Sequence, residues 1–191
     1  MKTMETFYSR EELKHLGIKS YGENVLISRN AILYTPELLE IGNNVRIDDF
    51  VTIGGKVVLN NYIHIAQFCG LYGAEKGIYF EDYSCLSSKG IIYATSNDYS
   101  GESMTNPMVP QKYKPTDINA PVRLCKHVVV GCMSVVLPGV TIGIGSSVGA
   151  MSLVCKSLEP WGVYAGCPVK RLKDRSKKIL ELEEQLKNDC I

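Results

Sequence analysis

The chain has 191 residues, 21 basic and 20 acidic, with a formal net charge of +1. That length suits one domain with a continuous core and excludes two ordinary domains with a linker, and the near-zero charge excludes a global field that would draw the protein onto nucleic acid. Seven cysteines (Cys69, Cys85, Cys125, Cys132, Cys155, Cys167, Cys190) form an odd set without a CxxC pair, which speaks against a disulfide framework or zinc cluster and for a reducing, cytoplasmic setting.

The N-terminal stretch MKTMETFYSREELKHLG is broken by charge every few residues, and no apolar run reaches signal-peptide or membrane-span length. A soluble protein without membrane insertion is expected. Within this stretch SREELKHLG, at 9–17, has a serine start, an acidic first turn and a glycine stop, the signals of a short helix.

A six-residue period then takes over. Ile41, Ile47, Ile53, Leu59, Ile65 and Leu71 follow one another at steps of six, and Val45, Val51, Val57, Ile63 and Cys69 stand four places after the first five. No helical or simple alternating period produces this pattern. The phase slips by three to Phe80 and Leu86 and is lost. It returns as Leu124, Val130, Val136, Ile142, Val148 and Val154, with Ser134, Ser146 and Ser152 in the fourth place. VGCMSV at 130–135 recurs as VGAMSL at 148–153, so three units make one turn of structure.

The predicted fold is all-β: a parallel β-helix shaped as a three-sided prism, with coils at about 18–92 and 122–169 in a single domain, 1–191. The first aliphatic of each unit points inward, and Gly131, Gly143 and Gly149 beside it let the backbone bend. Coils of this kind need stacking and capped ends. The N-terminal helix caps one end; at the other, Leu172, Ile179, Leu182 and Leu186 at helical spacing predict a helix over 170–188, with Lys173 and Arg175 on a solvated face.

Between the two coil blocks, residues 93–121 carry four prolines among Ser, Asn, Asp and Gly, which forbids continuous strand. A long excursion from a compact domain is usually functional or disordered, and the tyrosines here favour an ordered, protruding loop. Phe50 with Phe68, and Met133 with Met151, hold the same outward place one turn apart, a pattern that fits a buried subunit face and equally fits scattered surface residues.

The units IGNNVRID, the run VVLPGVTIGIGSSVGAMSLVCKSLEPWGVYAGCPVKRL and the segment SNDYSG resemble the hexapeptide-repeat acyltransferases, in particular the sugar acetyltransferases with a terminal AGxPxK signature. The resemblance covers roughly residues 18–175. It implies a left-handed coil, a homotrimer, and acetyl-CoA as co-substrate in the groove between two subunits, with no metal. It also implies a sugar or nucleotide-sugar acceptor reached by the loop.

Acyl transfer from a thioester needs an acceptor stripped of a proton, a donor for the oxyanion and a slot for pantetheine. Many relatives carry a histidine base in a motif like SHD, whereas Ser96, Asn97 and Asp98 stand here, and a neutral amide cannot take that proton. The candidate catalytic residues are therefore His64, Asp98 and Asn97. His64 lies in YIHIAQFC, which resembles the HIAHDC coil of the long-chain acyl members with Gln67 in the place of their base. Asp98 has an alternative role as a turn former in NDYSG, His127 is expected at an exposed, structural place, and His15 belongs to the capping helix.

For the donor, the resemblance points to Gly131, Gly149, Ala150 and Lys156 along the slot and to Ala165, Lys170 and Arg171 in AGCPVKR, the last two near the CoA phosphates. Tyr99, Glu102 and Tyr113 of the loop are the acceptor candidates. An amine needs a strong base less than a hydroxyl does, so the missing histidine favours N-acetylation of a nucleotide-linked amino sugar over O-acetylation. A non-catalytic β-helix scaffold is the alternative of another class, and such a scaffold would need neither the AGxPxK terminus nor the long polar loop. A zinc enzyme on the same coil would need three ligands, and His15, His64 and His127 occupy non-repeating places.

Overall fold

Each six-residue unit contributes a strand of two or three residues, and equivalent strands of successive coils pair in parallel to form three faces. The computed structural model describes residues 6–189 and shows a left-handed β-helix with a short helix at each end. One face stacks Val25–Ile27, Val45–Ile47, Ile63–Ile65, Cys85–Leu86, Val129–Val130, Ser147–Val148 and Gly162–Gly166. The second carries residues 32–33, 52–53, 70–71, 91–92, 135–136 and 153–154, and the third 20–21, 39–41, 57–59, 78–80, 122–124 and 141–142.

The periodic aliphatics form the core. Ile27, Ile47, Ile65, Leu86, Val130 and Val148 lie one above another on the first face, all buried, and each contributes on the order of 1.5–3 kcal/mol by leaving water. Ser134, Ser146 and Ser152 are buried in the fourth place because their hydroxyls reach carbonyls: Ser134 and Ser152 donate to Gly149 O at 3.0 and 2.8 Å, and Ser146 to Glu159 O at 2.8 Å.

The corners are left-handed. Asn24, Asn44, Tyr62, Tyr83, His127 and Trp161 at one corner, and Phe50, Phe68, Lys89, Met133 and Met151 at the next, all have positive φ near 60°. Such residues cost about 1 kcal/mol each, which the coil stacking on both sides outweighs. The three-residue slip in the period is an insertion at the remaining corner: Ile53 pairs with Leu71, but Val57 with Ile78.

Gly131, Gly143 and Gly149 do not turn the chain, as the sequence reading had it. Their φ values are not positive; the constraint is the next coil, since a Cβ on Gly131 would lie 2.6 Å from Ala150 N and one on Gly143 2.7 Å from Pro160 N. Close stacking, not bending, excludes a side chain there.

At the N-terminus Ser9 caps α1 (Arg10–Leu13) in a capping box with Glu12. The C-terminal prediction needs correction. Residues 169–174 form a strand antiparallel to Gly162–Gly166, and the helix, α2, begins only at Lys178 and runs to Asp189. Lys170, Arg171, Leu172 and Lys173 therefore belong to a hairpin. The helix meets the coils through a charge: Glu183 is buried and accepts from Lys126 Nζ at 2.6 Å and His127 Nε2 at 2.7 Å, with Lys187 Nζ at 2.8 Å. His127, expected at an exposed place, is buried beneath this contact and stacks on Tyr83 with centroids 5.1 Å apart. Arg175 is not solvated either: it donates to the carbonyls of His127, Gly145 and Ser146 at 2.8, 3.1 and 3.2 Å and ties the helix approach to two coils.

Candidate active site

The candidates Gly131, Gly149 and Ala150 lie along the corner between the first and second faces, while Asn97, Asp98, Tyr99, Glu102 and Tyr113 lie in the loop. After each inward aliphatic of the first face stands one residue whose N–H donates to the coil above: Asp48 to Ile65 O, Ala66 to Leu86 O, Ser87 to Val130 O, Gly131 to Val148 O and Gly149 to Tyr164 O, at 2.7 to 3.0 Å. From Ala66 on, this column is made of small residues and ends on Ala165. A Cβ at Gly149 would come within 3.0 Å of the Ala165 methyl. The result is a strip of small residues along which few side chains cover the backbone. Ala150 is exposed beside it, and Lys170 lies opposite Ala165 in the terminal hairpin. Lys156 is exposed on a neighbouring edge.

Toward the other end of the column, between Ser28 and Ala66, Asp48 replaces the small residue. Asp48 is only 8% exposed, and its carboxylate accepts from Arg46 Nε at 2.6 Å and His64 Nε2 at 2.8 Å. Burial alone would raise its pKa, but the hydrogen bonds from His64 and Arg46 hold it below the usual carboxylate value. A carboxylate accepts only, so Nε2 of His64 carries the hydrogen and Nδ1 is left for a proton, on a side chain 49% exposed. The sequence reading missed Asp48; the signal was its place one coil before Ala66, which sets it beside the outward His64. Asp48 also lines a cleft of about 410 Å³ together with Thr6, Phe7, Arg46, Asp49, Phe50, Gln67 and Phe68.

The loop is built and not loose. Thr95–Ser96 pairs antiparallel with Ile118–Asn119 and closes its base. Asp98 organises the turn above: its carboxylate accepts from Ser100 Oγ and N and from the N–H groups of Gly101 and Ser103, at 2.7 to 3.0 Å. Led by the Ser100 hydroxyl, these bonds lower its pKa to about 2. Asp98 is thus a fixed negative charge and a poor base. Asn97 is exposed next to it, Tyr99 is 92% exposed, Glu102 is exposed on the same turn, and Tyr113 lies beneath Lys112 Nζ at 4.8 Å. No hydrogen bond or ion pair joins His64 to Asp98 among the described residues. Arg171 is engaged within its own hairpin, donating to Asp174 Oδ1 at 2.7 Å and Tyr164 Oη at 3.0 Å.

A left-handed coil with a small-residue column, a charged corner and a protruding loop has close counterparts. No protein-family model matches the sequence. Over 184 residues, 94% of each chain, it is 43% identical to a dTDP-4-amino-4,6-dideoxy-D-glucose acyltransferase of Escherichia coli. The chain belongs to the hexapeptide-repeat acyltransferases. The fold agrees with AntD, an N-acyltransferase from Bacillus cereus, at a TM-score of 0.95 and 47% identity, covering 97% of this chain and 100% of AntD in a complex with dTDP and coenzyme A. A further AntD complex holds dTDP and 3-hydroxybutyryl-CoA, and AntD variants at one serine and one aspartate, ten residues apart, have been crystallised with coenzyme A and either dTDP or dTDP-4-amino-4,6-dideoxyglucose. A hexapeptide-repeat acetyltransferase of Vibrio cholerae shares the fold at a TM-score of 0.59 and 19% identity, over 92% of this chain and 84% of that one. Membership makes this protein a CoA-thioester-dependent acyltransferase. No helix among the described residues is long and apolar enough to cross a membrane.

Proposed function

We propose that the protein transfers an acetyl group from acetyl-CoA to the amine of a dTDP-linked amino-dideoxy sugar, and that it does so as a cytoplasmic homotrimer. The observation that carries this reading is similarity over nearly the whole chain to two acyltransferases, one named for that acceptor and the other crystallised with it. In the reaction the amine nitrogen adds to the thioester carbonyl, the C–S bond breaks as the amide C–N bond remains, the amine's proton passes to a base, and CoA leaves to be protonated as the free thiol.

Each part of the chain has a role in that chemistry. The column Gly131, Gly149 and Ala165, with Ala150 beside it, lets pantetheine approach the backbone closely, and Lys170 stands at its end for a phosphate. Asp98, ionised at any pH above about 2, attracts and orients the acceptor's ammonium; its low basicity leaves the proton for His64 or solvent. The AntD variants support a place for Asp98 and add Ser88. Among the aspartates of this chain, Asp98 alone has a serine ten residues before it, and that serine, Ser88, lies at the corner just past Ser87 in the small-residue column. Asn97, Tyr99, Glu102 and Tyr113 surround the acceptor side of the loop.

The test is a coupled assay with dTDP-4-amino-4,6-dideoxyglucose, offering acetyl-CoA and 3-hydroxybutyryl-CoA in parallel, together with light scattering. Turnover with acetyl-CoA, an amide product by mass spectrometry and a particle three times the 21.2 kDa chain are expected. A marked preference for the longer donor would replace the acetyl assignment. Equal turnover of the corresponding hydroxyl sugar would replace the amine, and a stable monomer would remove the intersubunit site.

A further inference from the structure

The Asp98 carboxylate, to which the acceptor's ammonium is assigned, has its accepting positions filled. An ionised carboxylate accepts at about four lone-pair positions, two on each oxygen. Oδ1 takes the Ser100 N–H at 3.0 Å and the Ser100 hydroxyl at 2.7 Å, and Oδ2 takes the N–H groups of Gly101 and Ser103 at 3.0 Å each. A cationic ligand must therefore displace one of these donors.

The donors differ in what it costs to move them. The N–H groups of Ser100, Gly101 and Ser103 belong to one turn, and that turn is fastened at both ends. Below it Ser96 pairs with Ile118. Above it Ser103 Oγ accepts from the Thr116 N–H at 3.1 Å and is hydrogen-bonded to the Thr116 hydroxyl, and the Met104 N–H donates to Tyr113 O at 2.9 Å. The arm that carries Thr116 is anchored in turn, because Lys114 is buried and its Nζ donates to Asn106 O at 3.1 Å. Withdrawing a main-chain N–H from Asp98 would open this two-armed structure. The Ser100 hydroxyl is under no such constraint, since one χ1 rotation between staggered positions takes it off Oδ1. Ser100 is exposed, so the released hydroxyl passes to water, and its bond from the Glu102 N–H is long at 3.3 Å.

We infer that the Ser100 hydroxyl is a placeholder on Asp98: it occupies the position on Oδ1 that the acceptor's amine takes, and it leaves when that amine binds. The inference rests on the amino-sugar reading above and deepens it, naming Ser100 as a residue that sets acceptor affinity. The exchange favours a cation. A neutral sugar hydroxyl would replace one O–H···O⁻ bond by another of the same kind, at the added cost of ordering the ligand, whereas an ammonium brings a full charge where all the present donors are neutral. Until the ligand arrives, the hydroxyl keeps the carboxylate satisfied, and its bond is foremost among those that hold the Asp98 carboxyl down to about 2.

The experiment is calorimetry at saturating coenzyme A with dTDP-4-amino-4,6-dideoxyglucose and with dTDP, which lacks the sugar amine, on wild type, Ser100→Ala, Ser100→Cys and Ser100→Thr. Turnover of the amino sugar is measured on the same samples. Removing the competing hydroxyl in Ser100→Ala should tighten the amino-sugar nucleotide roughly fivefold, the worth of one net hydrogen bond, and leave dTDP unchanged. In kinetics the gain appears in the acceptor's KM rather than in kcat. Ser100→Cys keeps the size of the side chain but donates only weakly, and should give the same sign. Ser100→Thr, which keeps a hydroxyl, should return the affinity to that of wild type. A serine that merely supported the turn would give the opposite sign, because its loss would loosen Asp98. Unchanged or weakened amino-sugar binding in Ser100→Ala and Ser100→Cys, with wild type turning the amino sugar over, overturns the placeholder and leaves the proposed reaction standing. Absence of both amino-sugar binding and turnover in wild type removes the reaction, and the placeholder with it.

Discussion

His64 Nε2 and Asp48 Oδ2 lie 2.8 Å apart, joining an outward residue of one coil to a corner residue of the coil before it. The pairing fixes the imidazole tautomer, because the carboxylate can only accept and so leaves Nδ1 without a hydrogen. If Nδ1 takes the acceptor's proton, His64→Ala should lower kcat roughly a hundredfold with CoA affinity unchanged. Asp48 acts through the ring, so Asp48→Asn should cost less. It should also mix the two tautomers in the nitrogen NMR spectrum of His64, which a merely structural loss would not do. Full activity of His64→Ala from pH 6 to 9 would send the proton to solvent or to the substrate itself.

Glu183 gives the structure an acid-sensitive joint. Burial tends to raise its pKa, but hydrogen bonds from Lys126, Lys187 and His127 prevail and bring it from an ordinary 4.5 down to about 2. A depressed carboxylate pKa stabilises the folded state fully above the unfolded value of 4.5, and the gain is lost as pH falls from there through about 2. Glu183→Gln should therefore lower stability at pH 7 by about 2 kcal/mol and flatten the dependence between pH 5 and 2, measured by denaturant titration. A variant that loses stability equally at pH 7 and pH 2 would show that shape, and not charge, docks α2.

The repeat made the coils legible residue by residue, because burial in a β-helix is strictly periodic: every one of Ile41, Ile47, Ile53, Leu59, Ile65 and Leu71 is buried. The C-terminal segment was not legible in the same way. Leu172 and the later leucines satisfy helical spacing, yet pairing with the last coil edge gives the backbone of 169–174 a ladder that a helix start could not supply, and Leu172 is left exposed. Helix α2 reverses the usual pattern, burying Glu183 while Leu182 stays exposed, since its dock is made by Lys126 and His127, far away in sequence. For the site, His64 and Asp98 were readable as chemistry-bearing residues. Asp48 was not, because its significance comes from a neighbour sixteen residues on, across a corner. Ser88 carried no signal in the sequence alone.

The stacked glycines separate two kinds of constraint. At Gly131 a Cβ would strike backbone at 2.6 to 2.8 Å, so Gly131→Ala must push two coils apart and should cost about 2–3 kcal/mol. Gly101 has φ of +91° but nothing within 4 Å of a Cβ, so Gly101→Ala should cost only the backbone strain, about 1 kcal/mol. Thermal unfolding of the two variants checks the order; equal losses would mean that coil spacing is softer than the contacts indicate.

Lys170 and Arg171 stand side by side in AGCPVKR, but the hairpin treats them differently. Lys170 is exposed opposite Ala165, where the small-residue column ends, whereas Arg171 donates to Asp174 and Tyr164 and lies over the Tyr164 ring at 5.7 Å. A phosphate can therefore recruit the Lys170 ammonium without breaking an existing contact, and recruiting Arg171 would first cost the bonds that hold the strand pair. Lys170→Ala should weaken CoA by roughly fivefold at low salt and reduce the salt dependence, because the lost contact is charge-assisted and screened. Arg171→Ala should instead lower the melting temperature through Tyr164, whose hydroxyl loses its donor, and leave the salt slope of CoA binding near that of wild type. Lys173→Ala, farther along the same strand, is the control for a general loss of positive charge. Calorimetry of CoA at two salt concentrations, paired with thermal unfolding of the three variants, reads both effects. A salt slope changed by Arg171→Ala and not by Lys170→Ala would move the phosphate site onto the arginine and show that its bond to Asp174 opens when CoA binds.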